Sequence, residues 1–174
     1  VAAALIHTSA ITTVKMEFGF TDVTAGTDAG AVNVLATPTF NATDAAVWVF
    51  DTDDTASWQM AGVINGTAAT KVEPTVMGNY DGDAAPNASV YELLVVQLRG
   101  TSARFYRGDM MAPADGTDFG RALTLTYDSG WQASYITATV ALTPWLFVQS
   151  RAGSASRTLR VDMMDAYQYR YNTE

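Results

Sequence analysis

The chain of 174 residues contains no cysteine, so it can form neither a disulfide nor a thiolate metal site. An extracellular fold would have to rest on core packing alone, which disfavours a small secreted animal domain. Basic residues are also scarce, because 10 Lys and Arg stand against 18 Asp and Glu and give a formal net charge of -8. Since this charge repels a phosphate backbone and the basic residues form no run, we expect no nucleic-acid partner.

Long apolar runs are missing as well, although 48% of the residues are hydrophobic. No stretch approaches the roughly 20 consecutive apolar residues of a membrane-spanning helix, so we predict a soluble protein without a membrane partner. The length fits a single domain of residues 1–174, in which we expect residues 1–11 to form an extended, flexible N-terminal segment. The chain opens at Val1 and not at a methionine, so either its start was processed or preceding residues, and with them the first strands, are missing.

Helical periodicity is the third absence. No segment places apolar residues three and four apart over a dozen positions, as an amphipathic helix requires. Alternation of apolar and polar residues predicts about ten strands instead. In "ITTVKMEFGF", residues 11–20, the apolar side chains from Val14 to Phe20 alternate with Lys15 and Glu17, which is typical of a half-buried strand.

Two segments carry large apolar residues on both faces and are predicted to be interior strands: "AAVWVFD" at 45–51 and "YELLVVQLR" at 91–99. The pair Asn65-Gly66 suits a hairpin turn after "WQMAGVI". Further strands are predicted in "ALTLTYD", "SYITATV", "PWLFVQS" and "RTLRVDMMDAYQYRYN". Because the apolar faces of many short strands must be covered, we predict an all-β fold of two stacked sheets, an antiparallel jelly-roll sandwich.

The tripeptide "RGD" at residues 107–109 is a sequence that many animal adhesion proteins present to integrins. Such recognition needs the two charged residues at an exposed loop tip. A tight turn between two strands needs only Gly108, which adopts positive φ without a steric clash. We favour the turn because the preceding residues alternate, with Arg104 and Tyr106 on one face and Phe105 on the other.

The chain resembles the concanavalin A-like, LamG-type β-sandwich of tailed-bacteriophage structural proteins. The resemblance rests on the succession of "KMEFGFTD", "AAVWVFDTDD", "YELLVVQLR", "ARFYRGDMM" and "ATVALTPWLFVQSRAGSASRTLRVDMMDAYQYR" and covers roughly Thr12 to Arg170. The matched positions are Phe105, Tyr106, Gly108, Asp109 and Met110 in the hairpin, Leu142, Thr143 and Pro144 in an "LTP" element, and Asp162 in the last strand. It implies a non-enzymatic virion protein, a capsid decoration or fibre-like domain on the capsid exterior. Its partners would be capsid or other virion proteins and copies of itself, with a homotrimer expected.

The chain departs from that family where it inserts much of residues 112–135 between the hairpin and the "LTP" strand. Loops carry the variable functions of rigid scaffolds, so we predict an interaction surface at Phe119, Trp131 and Tyr135. Lectins share this sandwich, and a carbohydrate-binding module on the virion surface or tail is the alternative function. It predicts an exposed aromatic cluster with Asp or Asn beside it, for which Trp131 and Tyr135 are candidates.

An enzyme is the third reading and has little support in the sequence. Hydrolases built on this sandwich need two carboxylates on one strand, commonly as Glu-x-Asp-x-x-Glu, about 5 Å apart. The glutamates are Glu17, Glu73, Glu92 and Glu174, and none starts that pattern. A Ser-His-Asp triad would depend on His7, the one histidine, in the N-terminal segment. We therefore assign no catalytic residue.

Acidic clusters offer oxygen ligands that could hold calcium. They are Asp51, Asp53 and Asp54 in "DTDD", Asp81 and Asp83 in "YDGD", and Asp115 and Asp118 in "ADGTD". None has the spacing of an EF-hand loop, and aspartate is also common in turns. We assign no cofactor and no metal-binding residue, and calcium remains the open alternative.

Overall fold

The computed structural model describes residues 1–23, 29–68, 71–72, 85–86, 88, 91–110, 124–151 and 156–168. Within these ranges the chain forms β-strands and no helix, which confirms the predicted all-β class. The strands are β1 (Ala2–Thr8), β2 (Val14–Thr21), β3 (Val32–Val34), β4 (Thr39–Phe40), β5 (Ala45–Asp51), β6 (Thr55–Ile64), β7 (Thr67–Ala68), β8 (Tyr91–Arg99), β9 (Ser102–Met110), β10 (Thr124–Gln132), β11 (Thr143–Ser150) and β12 (Leu159–Ala166). In the described part of the chain there is no helix of the length and hydrophobicity that a bilayer crossing needs.

Ten of these strands form two five-stranded antiparallel sheets. Sheet A has the order β10-β9-β8-β1-β12, and sheet B has the order β11-β2-β5-β6-β7. The short strands β3 and β4 pair with each other as a separate hairpin. Side chains from one face of each sheet share one hydrophobic core, so the architecture is a two-layer antiparallel sandwich.

The ring of Trp48 projects from β5, in the middle of sheet B, and contacts residues of both sheets in the core. Its centroid lies 5.5 Å from that of Phe105 in sheet A, with the rings nearly perpendicular. Its Nε1 donates a hydrogen bond of 3.3 Å to the carbonyl oxygen of Val95, also in sheet A. The indole therefore fills apolar space and satisfies its polar atom across the two sheets.

Residues 2–8 of the N-terminal segment form an interior strand. The segment is therefore extended, as predicted, but the expectation that it would be flexible was wrong for this part. β1 lies between β8 and β12 in sheet A. Ala2, Ala4 and Ile6 are buried in the core, while the alternate side chains of β1 are half-buried. Small alanine side chains fit this position but give little contrast between faces, so local alternation does not reveal the strand.

The interior placement of two predicted strands is confirmed. β5 is the central strand of sheet B and every one of its residues is buried. β8 is the central strand of sheet A. The hairpin predicted at Asn65-Gly66 is also confirmed, with φ of 48° and 73° at the two residues, as a type I′ turn requires.

The prediction of a half-buried β2 was wrong, because both of its faces are buried. The segment that contains β3 and β4 covers the outer face of sheet B. Val32 and Leu35 from this segment pack on Val47 and Val49 of β5. Lys15 and the alternate polar residues of β2 are therefore enclosed beneath a partial third layer.

The predicted turn at Gly108 was also wrong. β9 runs through this residue, which pairs with Leu93 of β8 and Leu125 of β10. The chain reverses earlier, at Gly100-Thr101, where Gly100 has a φ of 59°. The predicted facing of Arg104 and Phe105 survives, because Phe105 is buried in the core and Arg104 is not.

The segment "SYITATV" was predicted to be a strand but has none of the strand pairing. The backbone nitrogens of Tyr135 and Ile136 both donate to the carbonyl oxygen of Thr101, at 2.9 and 3.4 Å. Both side chains enter the main core from this loop. The two residues are apolar because they fill part of the core from a loop that is hydrogen-bonded to the β8–β9 turn.

Candidate functional site

The outer face of sheet A carries a group of aromatic, arginine and carboxylate side chains on β8, β9 and β10. Strand alternation places Arg104 and Tyr106 on this face, because their neighbour Phe105 points into the core. The register sets Trp131 opposite Arg104, and Asp128 opposite Tyr106. We call this group, with Gln97 and Arg99 of β8, the arginine–aromatic surface.

Arg104 and Asp128 form the centre of this surface. The Nε of Arg104 donates a 2.8 Å hydrogen bond to Asp128 Oδ1, and a second guanidinium nitrogen bonds the other carboxylate oxygen. The backbone nitrogen of Gly130 also donates to Asp128 Oδ1, at 2.9 Å. These hydrogen bonds, with that from Arg104 the largest influence, hold the pKa of the Asp128 carboxyl below its usual value.

Aromatic rings flank the ion pair. The guanidinium of Arg104 lies 4.8 Å from the ring centroid of Tyr106, whose hydroxyl donates to Gln97 Oε1 at 3.0 Å. The guanidinium of Arg99 lies 6.0 Å from the ring of Trp131, and 42% of Trp131 is exposed. The surface therefore offers a flat aromatic face beside fixed charges, a combination suited to stacking and hydrogen bonding.

The protonation states on this surface are fixed at neutral pH. Burial raises the pKa of Tyr106, and the hydrogen bond to Asp128 raises the pKa of Arg104. The pKa of Asp128 is lowered, so each of the three pKa values is shifted further from pH 7. A general acid or base works best with a pKa near the working pH, so this arrangement favours binding over proton transfer.

The predicted interaction residues are separated by the fold. Trp131 lies on the exposed outer face, whereas Tyr135 is only 4% exposed, so its placement at the surface is corrected. The ring of Tyr135 packs 5.3 Å from Phe105 and occupies space that Gly62 leaves open by lacking a Cβ. Phe119 lies outside the described residues.

The "RGD" residues do not form an exposed loop tip. Arg107 projects inward from β9, is 5% exposed, and donates from Nε to Glu92 Oε1 at 3.1 Å. A further guanidinium nitrogen donates to the carbonyl oxygen of Ala85 at 2.8 Å. The arginine that an integrin would need is therefore committed to a buried ion pair, which sequence reasoning did not find.

The first acidic cluster is paired with two basic side chains, Arg151 and Lys71. Both carboxylate oxygens of Asp51 accept hydrogen bonds from Arg151, and Asp54 pairs with Lys71. Asp53 Oδ2 lies 3.5 Å from Arg151 Nε, and both residues line a cleft of about 100 Å³. Among the described residues no group of three or more His, Cys, Asp or Glu side chains is arranged to hold a metal ion. The other calcium candidates, Asp81, Asp83, Asp115 and Asp118, lie outside them.

The only histidine lies in a strand and not in a solvated tail. Its half-buried ring packs 5.2 Å from the ring of Tyr91, and its Nδ1 is buried without a hydrogen-bond partner among the described residues. No described carboxylate or serine is hydrogen-bonded to His7, so the part of the chain that the structure describes does not assemble a triad around it.

A second surface lies at the edge of sheet A, where β12 follows β1. Val161, Met163 and Met164 on β12 are each 43–45% exposed, and Tyr167 directly after the strand is 44% exposed. We call β12 together with Tyr167 the terminal edge. Such a concentration of large apolar side chains on one edge strand is a feature of interaction sites.

No protein-family model, curated protein or solved structure matches the chain.

Proposed function

We propose that the chain is a non-enzymatic structural protein of a tailed-bacteriophage virion, a capsid decoration or fibre-like domain on the capsid exterior that acts by protein–protein association. The resemblance of the strand succession to LamG-type virion domains motivates the virion setting. The exposed apolar side chains of the terminal edge support the mechanism, and this observation carries the proposal. The partners would be capsid subunits, other virion proteins and further copies of the chain.

The proposed fold family is the concanavalin A-like jelly roll. Its support is the nested pairing of the chain's ends: β1 pairs with β12, and β2 pairs with β11 in the opposite sheet. A jelly roll is produced when a long antiparallel pair of this kind wraps into two sheets. The buried ion pairs at Lys15–Glu17 and Arg107–Glu92 would keep such a scaffold rigid while its edge and loops make contacts.

Particles purified from the source of the sequence test the virion assignment. Tailed particles are separated on a density gradient, and each fraction is analysed by mass spectrometry for peptides of this chain. Co-migration with the major capsid protein, with a constant copy number per particle, is the expected result. Gold-labelled antibody then distinguishes capsid from tail. A chain found only in the soluble lysate, or only in the host envelope, contradicts the assignment.

The alternative is a carbohydrate-binding module, and the exposed indole of Trp131 beside Arg99, Arg104 and Asp128 favours it. A sugar ring would stack on the indole while the carboxylate and guanidinium groups bond its hydroxyls. Glycan-array binding that is lost in Trp131→Ala and kept in Tyr167→Ala, which removes an equally exposed aromatic side chain, would establish this function. A blank array with the wild-type chain removes it.

A further inference from the structure

We propose that β12 of one chain pairs antiparallel with β12 of a second copy, about a two-fold axis between Asp162 and Met163. The two copies of sheet A would then join into one continuous sheet. The occupant of the terminal edge is thus a second copy of this chain, and this two-fold dimer replaces the homotrimer that the family resemblance implies. The inference rests on the proposed mechanism of association, but it does not depend on the virion setting.

The first argument is that one side of β12 is not paired with any other strand that the structure describes. Within the described part of the chain, β12 pairs with β1 alone. β1 of sheet A packs over β2 of sheet B. Because β12 is next to β1 and β11 is next to β2, the edge strand of sheet B on the same side of the sandwich is β11. Val148 of β11 shares the core-facing side of its sheet with Met16 and is still 36% exposed. As far as the described residues show, the sandwich is therefore open between its two edge strands.

The second argument concerns the direction of the backbone groups. Tyr167 exchanges hydrogen bonds with Val1, and Ser9 donates to the carbonyl oxygen of Thr158. In an antiparallel ladder, hydrogen-bonded and non-hydrogen-bonded pairs alternate. Alternation from the Val1–Tyr167 pair at one end and the Ser9–Thr158 pair at the other assigns each residue of β12 to one of the two types. The residues whose backbone N–H and C=O groups point away from β1 are the core-facing residues of β12. These are Leu159, Val161, Met164 and Ala166.

The third argument is that these residues match each other in the proposed register. About an axis between Asp162 and Met163, Val161 faces Met164 of the second copy, and Leu159 faces its Ala166. Each such pair joins two residues with outward backbone groups, so each can form a hydrogen-bonded pair. Each also joins two apolar side chains on the core-facing side, where their exposed surface would be covered.

The fourth argument is charge complementarity. Arg160 and Asp165 lie on the outer face, since they pair with His7 and Ala3 of β1, and neither has an ion-pair partner among the described residues. Within one strand they are five positions, or roughly 16 Å, apart and cannot reach each other. In the proposed register Arg160 lies directly opposite Asp165 of the second copy. The two-fold axis makes this ion pair twice.

A β-bulge in β12 fits the same axis. The register of β1 and β12 shifts between Leu5 and Ile6, which leaves Asp162 as the extra residue. A bulge and charged residues often protect a lone edge strand from pairing. In the proposed register the Asp162 residues of the two copies lie on either side of the axis, each opposite Met163 of the other copy. The residue pairs on both sides of the axis therefore keep their register. The charged residues that face each other, Arg160 and Asp165, are of opposite sign.

Charge reversal tests the pairing in the purified full chain by sedimentation equilibrium over a range of micromolar concentrations. The wild type should form a dimer. Arg160→Glu and Asp165→Arg should each weaken dimerisation by about tenfold or more, because each places like charges opposite each other twice. The double variant Arg160→Glu/Asp165→Arg should return to within about threefold of the wild type. Circular dichroism checks that all variants are folded.

Arg99→Glu is the matched control, since it makes the same change on an exposed arginine of β8, away from the terminal edge. It should leave the dimer unchanged. The edge pairing would be overturned if the wild type is a monomer or a trimer. It would also be overturned if the wild type is a dimer whose dissociation constant does not change with the charge reversals. None of these results alters whether the chain co-migrates with virions, so the two proposals fail separately.

Discussion

The Nζ of Lys15 lies 2.8 Å from Oε1 of Glu17, and the two side chains are 2% and 0% exposed. Glu17 also accepts hydrogen bonds from the backbone nitrogens of Ala31 and Val32, at 2.7 and 3.1 Å, and from Trp145 Nε1 at 2.9 Å. The carboxylate thus fixes the segment that covers sheet B to β2 and β11. Burial of this ion pair is sustained because polar groups surround the carboxylate.

Removal of one member of this pair should be costly. We expect Glu17→Leu to lower the free energy of unfolding by about 3–5 kcal/mol, because it leaves Lys15 buried and unpaired. The double variant Lys15→Met/Glu17→Leu should recover much of that loss. Urea unfolding measures both variants.

The partly exposed pair between Lys71 and Asp54 supplies the control. Lys71→Met should change stability by about 1 kcal/mol or less, because solvent screens a partly exposed pair. Equal effects of Glu17→Leu and Lys71→Met would contradict the buried placement of Glu17.

The hydroxyl of Tyr135 is buried without a hydrogen-bond partner among the described residues. We therefore expect Tyr135→Phe to leave the free energy of unfolding unchanged or to raise it by about 1 kcal/mol. A loss larger than this would mean that the hydroxyl is bonded in the folded protein. Urea unfolding at neutral pH decides between the two outcomes.

Alkaline pH gives a second test of the same side chain. Burial raises the pKa of Tyr135 from 10.0 to about 12. The unfolded chain releases this proton near pH 10, so the stabilising contribution is complete below pH 10 and is lost as the pH rises to 12. Over that interval Tyr135→Phe should lose less stability than the wild type. Parallel losses in the two proteins would show that Tyr135 titrates normally.

Asp128 should respond to the loss of its arginine. In Arg104→Gln we expect the pKa of the Asp128 carboxyl to rise towards its usual value, although the Gly130 backbone bond still lowers it. Carboxyl chemical shifts in an NMR pH titration report this pKa. Because the folded pKa is lowered, the contribution of Asp128 to stability is present above about pH 4 and falls away in more acidic solution. Arg99→Gln should leave the titration unchanged, and an unaltered curve in Arg104→Gln would refute the coupling.

A matched pair of substitutions tests the interior position of β1. Ala4 is fully buried in the core, whereas its neighbour Ala3 is half-buried on the outer face. Ala4→Asp should lower stability by about 3 kcal/mol or prevent folding, because it places a carboxylate among apolar side chains. Ala3→Asp should cost about 1 kcal/mol or less. If the two variants are equally stable by thermal unfolding, residues 1–8 do not form an interior strand.

Strand class and the interior strands could be predicted because their signals are local. The apolar residues of 45–51 and 91–99 on both faces indicate burial whatever the rest of the chain does. β1 was missed because Ala2 and Ala4 contrast little with their neighbours, and its position depends on pairing with residues at the other end of the chain. The enclosure of Lys15 was equally invisible, since it depends on a covering segment and not on β2 itself.

The candidate surface was predictable only in part. Trp131 belongs to the segment chosen from the sequence and is exposed as expected, but Tyr135 in the same segment is buried against Gly62. Alternation cannot distinguish a loop that projects outward from one that fills the core. The apolar residues of β12 were assigned to a strand, yet their exposure follows from the edge position of that strand. Sheet order is a long-range property that a local pattern does not contain.

The most direct test of association as the function is a cryo-electron microscopy map of the particle that carries the chain, at a resolution that separates strands. The proposed function predicts density for two stacked five-stranded sheets on the capsid exterior, with β12 against another protein chain. A particle without this density, or a bound sandwich whose β12 faces open solvent, would contradict it.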